Sequence, residues 1–190
     1  DYNEGFVMPF AIDKHTVIAA RPSKEADMRC RVVSANAGNG LVSEFMGDAT
    51  LVPAPDGDWT NYMCASLSIL RSVNHIFLTS HPLFSSLSFR RGVVAQYLRA
   101  LPTGRAGFDA AVISTVPLGG GLSSSASLEV ATATMLEALY GLDNEPVGKA
   151  LKCQQCEHTF CNTPCGIMDQ FISACGQVGN ALLIDCRPPY

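Results

Sequence analysis

Pro117-Leu118-Gly119-Gly120-Gly121-Leu122-Ser123-Ser124-Ser125-Ala126-Ser127 is the stretch whose reading decides the fold, because consecutive glycines and then consecutive serines stand between a strand pattern and a helix pattern. The preceding residues 108–116 read FDAAVISTV, small and β-branched apolar residues that predict a buried strand. After the serines, Leu128, Ala131, Met135 and Leu139 recur at the spacing of one apolar helical stripe. Ala133, Leu136, Glu137 and Ala138 are strong helix formers that outweigh Thr132 and Thr134. Strand, glycines, helix is the order a phosphate cradle needs. Glycine lets the backbone approach an anion with no Cβ in the way, and the free N–H groups of the helix start then point at it. A Gly-Ser linker is the bland alternative, but linkers do not join a buried strand to an amphipathic helix. No Lys-Ser or Lys-Thr follows the glycines, and the GxGxxG spacing is absent, which excludes a P-loop and a dinucleotide fold.

Composition narrows the class without naming it. With 190 residues, 47% hydrophobic and 16% charged, the chain has apolar material for one core and part of a second. A net charge of −4 without Lys/Arg clusters argues against nucleic acid or an acidic membrane as partner. No apolar run of about eighteen residues and no signal-peptide pattern is visible, so a cytoplasmic protein with no membrane contact is expected. A monomer is expected separately, although nothing in these patterns reads the oligomeric state. Cys153, Cys156, Cys161 and Cys165 with His158 invite a zinc reading. Their spacing is not that of a common finger, and reduced thiols are the plainer account. The remaining pattern predicts a hairpin of strands at 6–12 and 15–20, strands at 28–34 and 41–44, and a loop at 53–58. A helix is predicted over 146–160, a short helix from the 165–169 loop, and a strand over 181–186.

PLGGGLSSSAS resembles the second signature of the GHMP small-molecule kinases, and its leading Pro-Leu-Gly-Gly-Gly is similar to the galactokinase branch of that family. Two further segments agree in the right order. Asp1-Tyr2-Asn3-Glu4-Gly5 resembles the end of the branch's GRVNLIGEHTDYN signature, and Cys165-Gly166-Ile167-Met168-Asp169-Gln170 resembles its CGIMDQ segment. The implied fold is α+β, the GHMP kinase amino-terminal domain with the start of the second domain. The implied chemistry is phosphoryl transfer from ATP, with Mg²⁺, to the anomeric hydroxyl of galactose, a reaction that needs positioning and charge neutralisation more than covalent help.

By that resemblance Gly119, Gly120, Gly121, Leu122, Ser123 and Ser124 hold the phosphates, and Ser125 with Glu157 provides oxygen ligands for Mg²⁺. Asp169 is the base for the sugar hydroxyl, although position alone favours a first-turn helix acid. Asp1 and Gly166 contact the sugar, and Trp59, in a W-x-N-Y segment, packs beside adenine; a single Trp is otherwise simply core. The cysteine region looks like the family's CQQAEH…PCGIMDQ with extra cysteines.

Departures also carry expectations. The Arg and the Glu-His pair that precede Asp1 in the resembled signature, and a third, Gly-rich motif, lie outside this sequence, so a piece of a protein about twice as long, inactive alone, is expected. Removing 64–90, a Ser/Leu/Phe-rich stretch without acidic residues, would join Trp59–Met63 smoothly to Arg91-Gly92-Val93-Val94. A non-family insertion is expected there, read as a retained intron or gene-model error, with a genuine insert as the alternative. Two other functions stand beside galactose phosphorylation: an N-acetylgalactosamine kinase, against which Leu118, Gly119, Cys165 and Ile167 speak, and a noncatalytic sugar and ATP sensor, against which the intact Ser125-Ala126 speaks.

Overall fold

Strand Phe108–Ser114 forms where the β-branched run predicts it and becomes the interior strand of a four-stranded sheet. The structure, a computed structural model, describes residues 1–23, 28–48, 51, 58–63, 93–98, 100–101, 106–143, 145–161 and 163–187. Among them, the strands are β1 (Phe6–Val7), β2 (Thr16–Pro22), β3 (Arg29–Ser34), β4 (Ser43–Met46), β5 (Phe108–Ser114) and β6 (Ile184–Asp185). The helices are α1 (Val93–Leu98), α2 (Ser124–Tyr140), α3 (Pro146–Thr159) and α4 (Met168–Cys175). The larger sheet runs β2-β5-β3-β4, antiparallel except for the parallel pair β3 and β5. Residues 64–90 and nearly all of the 53–58 loop lie outside the described residues.

One sheet face is buried and the other is open. Cys30, Val32, Phe108, Ala110 and Val112 alternate onto the inner face, where they meet Val130, Ala133 and Leu136 of α2. Tyr97 and Leu98 of α1 and Phe160 after α3 complete that core. Helix α2 packs on β2 and also on α1, α3 and α4. It ends at Gly141, whose φ of 63° and N–H bond to Glu137 O make the left-handed cap that glycine favours. Helix α3 starts with Pro146 behind Glu145, whose carboxylate accepts from the N–H groups of Val147 and Gly148.

Four readings from periodicity need correction. The 6–12 and 15–20 segments do not form a hairpin: β1 pairs with β6, and β2 pairs with β5. Pro9 interrupts the first run, and its carbonyl accepts from Leu182 N at 2.9 Å, so the segment zips to the far end of the chain. The strand at 181–186 reduces to Ile184–Asp185 plus an isolated Phe10–Ala181 bridge. Strand β4 starts at Ser43 and not Leu41, leaving Leu41 and Val42 exposed. The stripe expected on α2 is also rotated. Its buried residues are Ala126, Glu129, Val130, Thr132, Ala133, Met135, Leu136 and Glu137, while Leu128, Ala131 and Leu139 are only half-buried. Helices on several sides make the contact face broader than one stripe, and it takes in two glutamates.

Glu137 is paired. Tyr97 donates its phenol hydrogen to Oε1 at 2.5 Å, and Lys149 Nζ lies 2.7 Å from Oε2 and 3.0 Å from Thr134 Oγ1. All three ionisable groups are at most 5% exposed. Burial, then the bond to Glu137, pushes the Tyr97 phenol above its usual range. Breaking a buried pair costs more than replacing it whole. Lys149→Met is therefore expected to cost about 3–5 kcal/mol in chemical denaturation, with much of the loss recovered in Lys149→Met/Glu137→Met. Strictly additive losses would contradict this pairing.

Candidate active site

The glycine-serine loop has the backbone that an anion cradle needs. Gly119 and Gly121 have φ of 69° and 67°, a backbone that a side chain would strain. Ser123 adopts the same left-handed conformation, at φ 59°, and its side chain makes no capping bond to α2. An N-cap serine normally turns its oxygen to the first free N–H groups. Here those groups, at the positive end of a 17-residue helix, are left without a side-chain cap beside an exposed loop. The loop base is anchored through hydroxyls: Ser127 Oγ to Thr16 Oγ1 at 2.8 Å, and Thr16 Oγ1 to Ser114 Oγ at 2.9 Å.

Cavities open on both sides of this loop. A cleft of about 870 Å³ is lined by Gly121, Leu122, Ser123 and Ser127 on one wall and by Met168, Asp169 and Ile172 of α4 on another. A smaller pocket of about 190 Å³ is lined by Trp59, Tyr62, Leu118, Ser124 and Ser125. Thr16 borders both. Trp59 thus faces the loop from a 3₁₀ turn, Trp59–Tyr62, whose start is capped by Asp58 accepting from Thr60 N at 2.8 Å.

The chain's first residue reaches this site. Asp1 Oδ2 accepts from Met168 N at 3.1 Å and so caps α4. A Cβ on Gly166 would stand 1.8 Å from that same oxygen, so the close approach requires glycine. Asp169 follows in the first helical turn, where the macrodipole favours a carboxylate. Asp1, Gly166 and Asp169 therefore gather at one helix start from opposite ends of the chain.

Ser125 and Glu157 fit a hard cation by donor chemistry, a hydroxyl and a carboxylate, but no bond joins them. Ser125 borders the Trp59 pocket. Glu157 is buried and accepts from Gln170 Nε2 at 2.5 Å and Cys165 Sγ at 3.4 Å. Burial, then the Glu157 charge, pushes the Cys165 thiol up to about 12. Two buried partners escaped the sequence reading, Glu129 and the amide side of Gln170. Gln170 Nε2 also donates to Glu129 Oε2 at 3.2 Å. Burial, then the Glu157 charge, raises the Glu129 carboxyl well above the usual carboxylate range. Periodicity gave no signal for Glu129, since the buried face of α2 also takes in Thr132 and Glu137. Of the four cysteines weighed and set aside as a zinc cluster, Cys156 and Cys161 come together, but Cys153, Cys165 and His158 do not join them in one ligand group among the described residues. Cys153 belongs to the main core, and the exposed His158 bonds the Cys165 carbonyl oxygen through Nε2 at 2.6 Å.

Residues 88–177 match the GHMP kinases N terminal domain, and residues 1–22 match the galactokinase galactose-binding signature. The Homo sapiens galactokinase is 40% identical over 190 residues, spanning 98% of this chain. The chain is a galactokinase homologue. Its fold agrees with that of Lactococcus lactis galactokinase complexed with galactose, at a TM-score of 0.71 and 27% identity over 99% of the chain. Methanococcus jannaschii mevalonate kinase shares the fold at a TM-score of 0.69, with 15% identity over 97% of the chain. The galactokinase homologue described here spans 41% of the length of the human and the Lactococcus relatives, and 48% of the mevalonate kinase. No helix among the described residues is long and apolar enough to cross a membrane.

The Asp1–Gly166 contact makes a specific prediction. Gly166→Ala evicts the Asp1 carboxylate from the α4 start, at a cost of about 1 kcal/mol for the lost cap plus strain. Adding Asp1→Ala to it is then expected to cost nothing further in thermal denaturation. Independent, additive losses would show that the two residues do not share this contact.

Proposed function

We propose that this chain forms the nucleotide- and sugar-binding part of an enzyme that transfers the terminal phosphoryl group of ATP to the anomeric hydroxyl of galactose, giving galactose 1-phosphate. The observation that carries the reading is the cleft with the uncapped glycine-serine loop on one wall and Asp169, next to Asp1 and Gly166, on another. One wall suits phosphate and the other suits a hydroxyl. The match of residues 1–22 to a galactose-binding signature supports the choice of sugar.

In this reading the N–H groups of Gly119, Gly120, Gly121, Leu122, Ser123 and Ser124 hold the phosphates, fixing their charge without reorganisation during transfer. Trp59 packs beside adenine in the smaller pocket, one step along the same loop. Asp1 keeps Oδ1 for sugar hydroxyls while Oδ2 caps α4, and Gly166 lets the ring approach the backbone. The Asp169 carboxylate accepts the proton of the attacking hydroxyl. Ser125 and Glu157 would hold Mg²⁺, which would supply charge neutralisation on the phosphates. The partners are galactose and ATP, with no nucleic acid and no membrane; the protein is cytoplasmic and monomeric.

Residues 1–190 are an amino-terminal GHMP kinase domain in this account, and 64–90 is an insertion outside the family pattern. Sequencing the transcript across Met63 and Arg91 decides: a message joining them directly marks 64–90 as intron or gene-model error, and one that encodes the whole stretch makes it a genuine insert.

The activity test uses this domain within a protein of the relatives' length, with galactose, N-acetylgalactosamine and glucose as acceptors. ATP-dependent turnover is expected with galactose, and Asp169→Asn is expected to lower kcat by roughly 10²–10⁴ while galactose still binds. Preference for N-acetylgalactosamine would overturn the substrate. Tight binding of sugar and ATP without turnover would make the protein a sensor.

A further inference from the structure

Behind the cleft wall, the structure buries two carboxyl groups side by side without a cationic partner among their bonds. Gln170 Nε2 donates to both Glu129 Oε2 and Glu157 Oε2. Glu129 is fully buried, and its other oxygen, Oε1, has no hydrogen-bond partner among the described residues, although the Cys156 thiol lies close enough to the carboxyl to favour its charged form. An unsatisfied buried carboxyl oxygen is costly unless something outside the chain completes it. Two thiols stand beside it: Cys156 from the last turn of α3 and Cys161 just past that helix. The ligand atoms of Glu129, Cys156 and Cys161 all lie within 4.8 Å of one another.

We propose that Glu129, Cys156 and Cys161 form a metal site for zinc or a similarly thiophilic divalent cation. Zinc with bonds of about 2.0–2.3 Å holds tetrahedral ligands roughly 3.5–3.8 Å apart, so the three groups close on the ion by small side-chain movements. Two thiolates and one carboxylate are a donor set that zinc accepts and magnesium does not, since magnesium takes oxygen ligands in an octahedron. Zinc binds the thiolate and carboxylate forms of its ligands, so binding releases protons to solvent.

The placement says what the site does. The metal joins α2 to α3 through its ligands, and Gln170, bonded to Glu129, carries that support to the α4 start, where Asp169 borders the cleft. Its role is to fix those elements, not to take part in transfer.

The test is zinc binding by the reduced full chain. One equivalent per chain is expected to survive dialysis and to resist excess Mg²⁺. Cys156→Ala/Cys161→Ala is expected to weaken zinc binding by more than about a hundredfold, since even changes behind the ligands cost 10–100-fold. Cys175→Ala, on another helix, is expected to leave it unchanged. Cobalt substituted into the unaltered chain supplies a readout that needs no variant to fold, and intense thiolate-to-cobalt charge-transfer absorption is expected. Zinc retained at full affinity by the double variant, displacement by Mg²⁺, or a cobalt spectrum without the thiolate band would each overturn the site.

Discussion

The burial of helix 124–140 is the constraint on which the rest of the structure depends. Sheet strand β2 lies on one side and α1, α3 and α4 lie on others, so the helix can neither slide nor rotate without exposing Val130, Ala133 and Leu136. Full burial of each large apolar side chain contributes about 1.5–3 kcal/mol. Its first turn is thereby held where strand β5 delivers the glycine loop. The absence of a side-chain cap on that first turn, unhelpful to an isolated helix, leaves N–H groups for a ligand anion.

A second, longer-range closure gives the cleft its other wall. The first residue of the chain caps a helix that begins at residue 168, and β1 pairs with β6 alongside it. Neither strand of that ribbon is longer than two residues, so it is stable only as part of this closure. The same α4 turn carries Asp169 outward to the cleft and Gln170 inward to the buried carboxyls. Adjacent residues thus link the outer site to its support.

What the sequence made legible was local and strongly patterned: the strand from Phe108, the glycine loop, a helix after it that in the structure already begins at Ser124, and the helix start at Pro146. Less legible was anything set by partners distant in the chain. The 6–12 run reads as half of a hairpin because alternation cannot say which strand it meets, and Pro9 was the overlooked signal. The stripe Leu128, Ala131, Met135, Leu139 assumed a single buried face. A helix with neighbours on several sides buries Glu129 and Glu137 as well, and polar periodicity gives no warning of that. Ser125 and Glu157 came from resemblance alone, and the carboxylate is engaged by Gln170 and Cys165.

The central claim is that the free helix start and the Asp169 wall form one ligand site. The most direct measurement is an amide NMR titration of the chain with ATP·Mg²⁺ and then galactose. The account predicts that nucleotide shifts the amides of 119–126 most strongly, and that galactose then shifts those of Gly166, Met168 and Asp169. Ligand-induced shifts confined to other parts of the chain would contradict it.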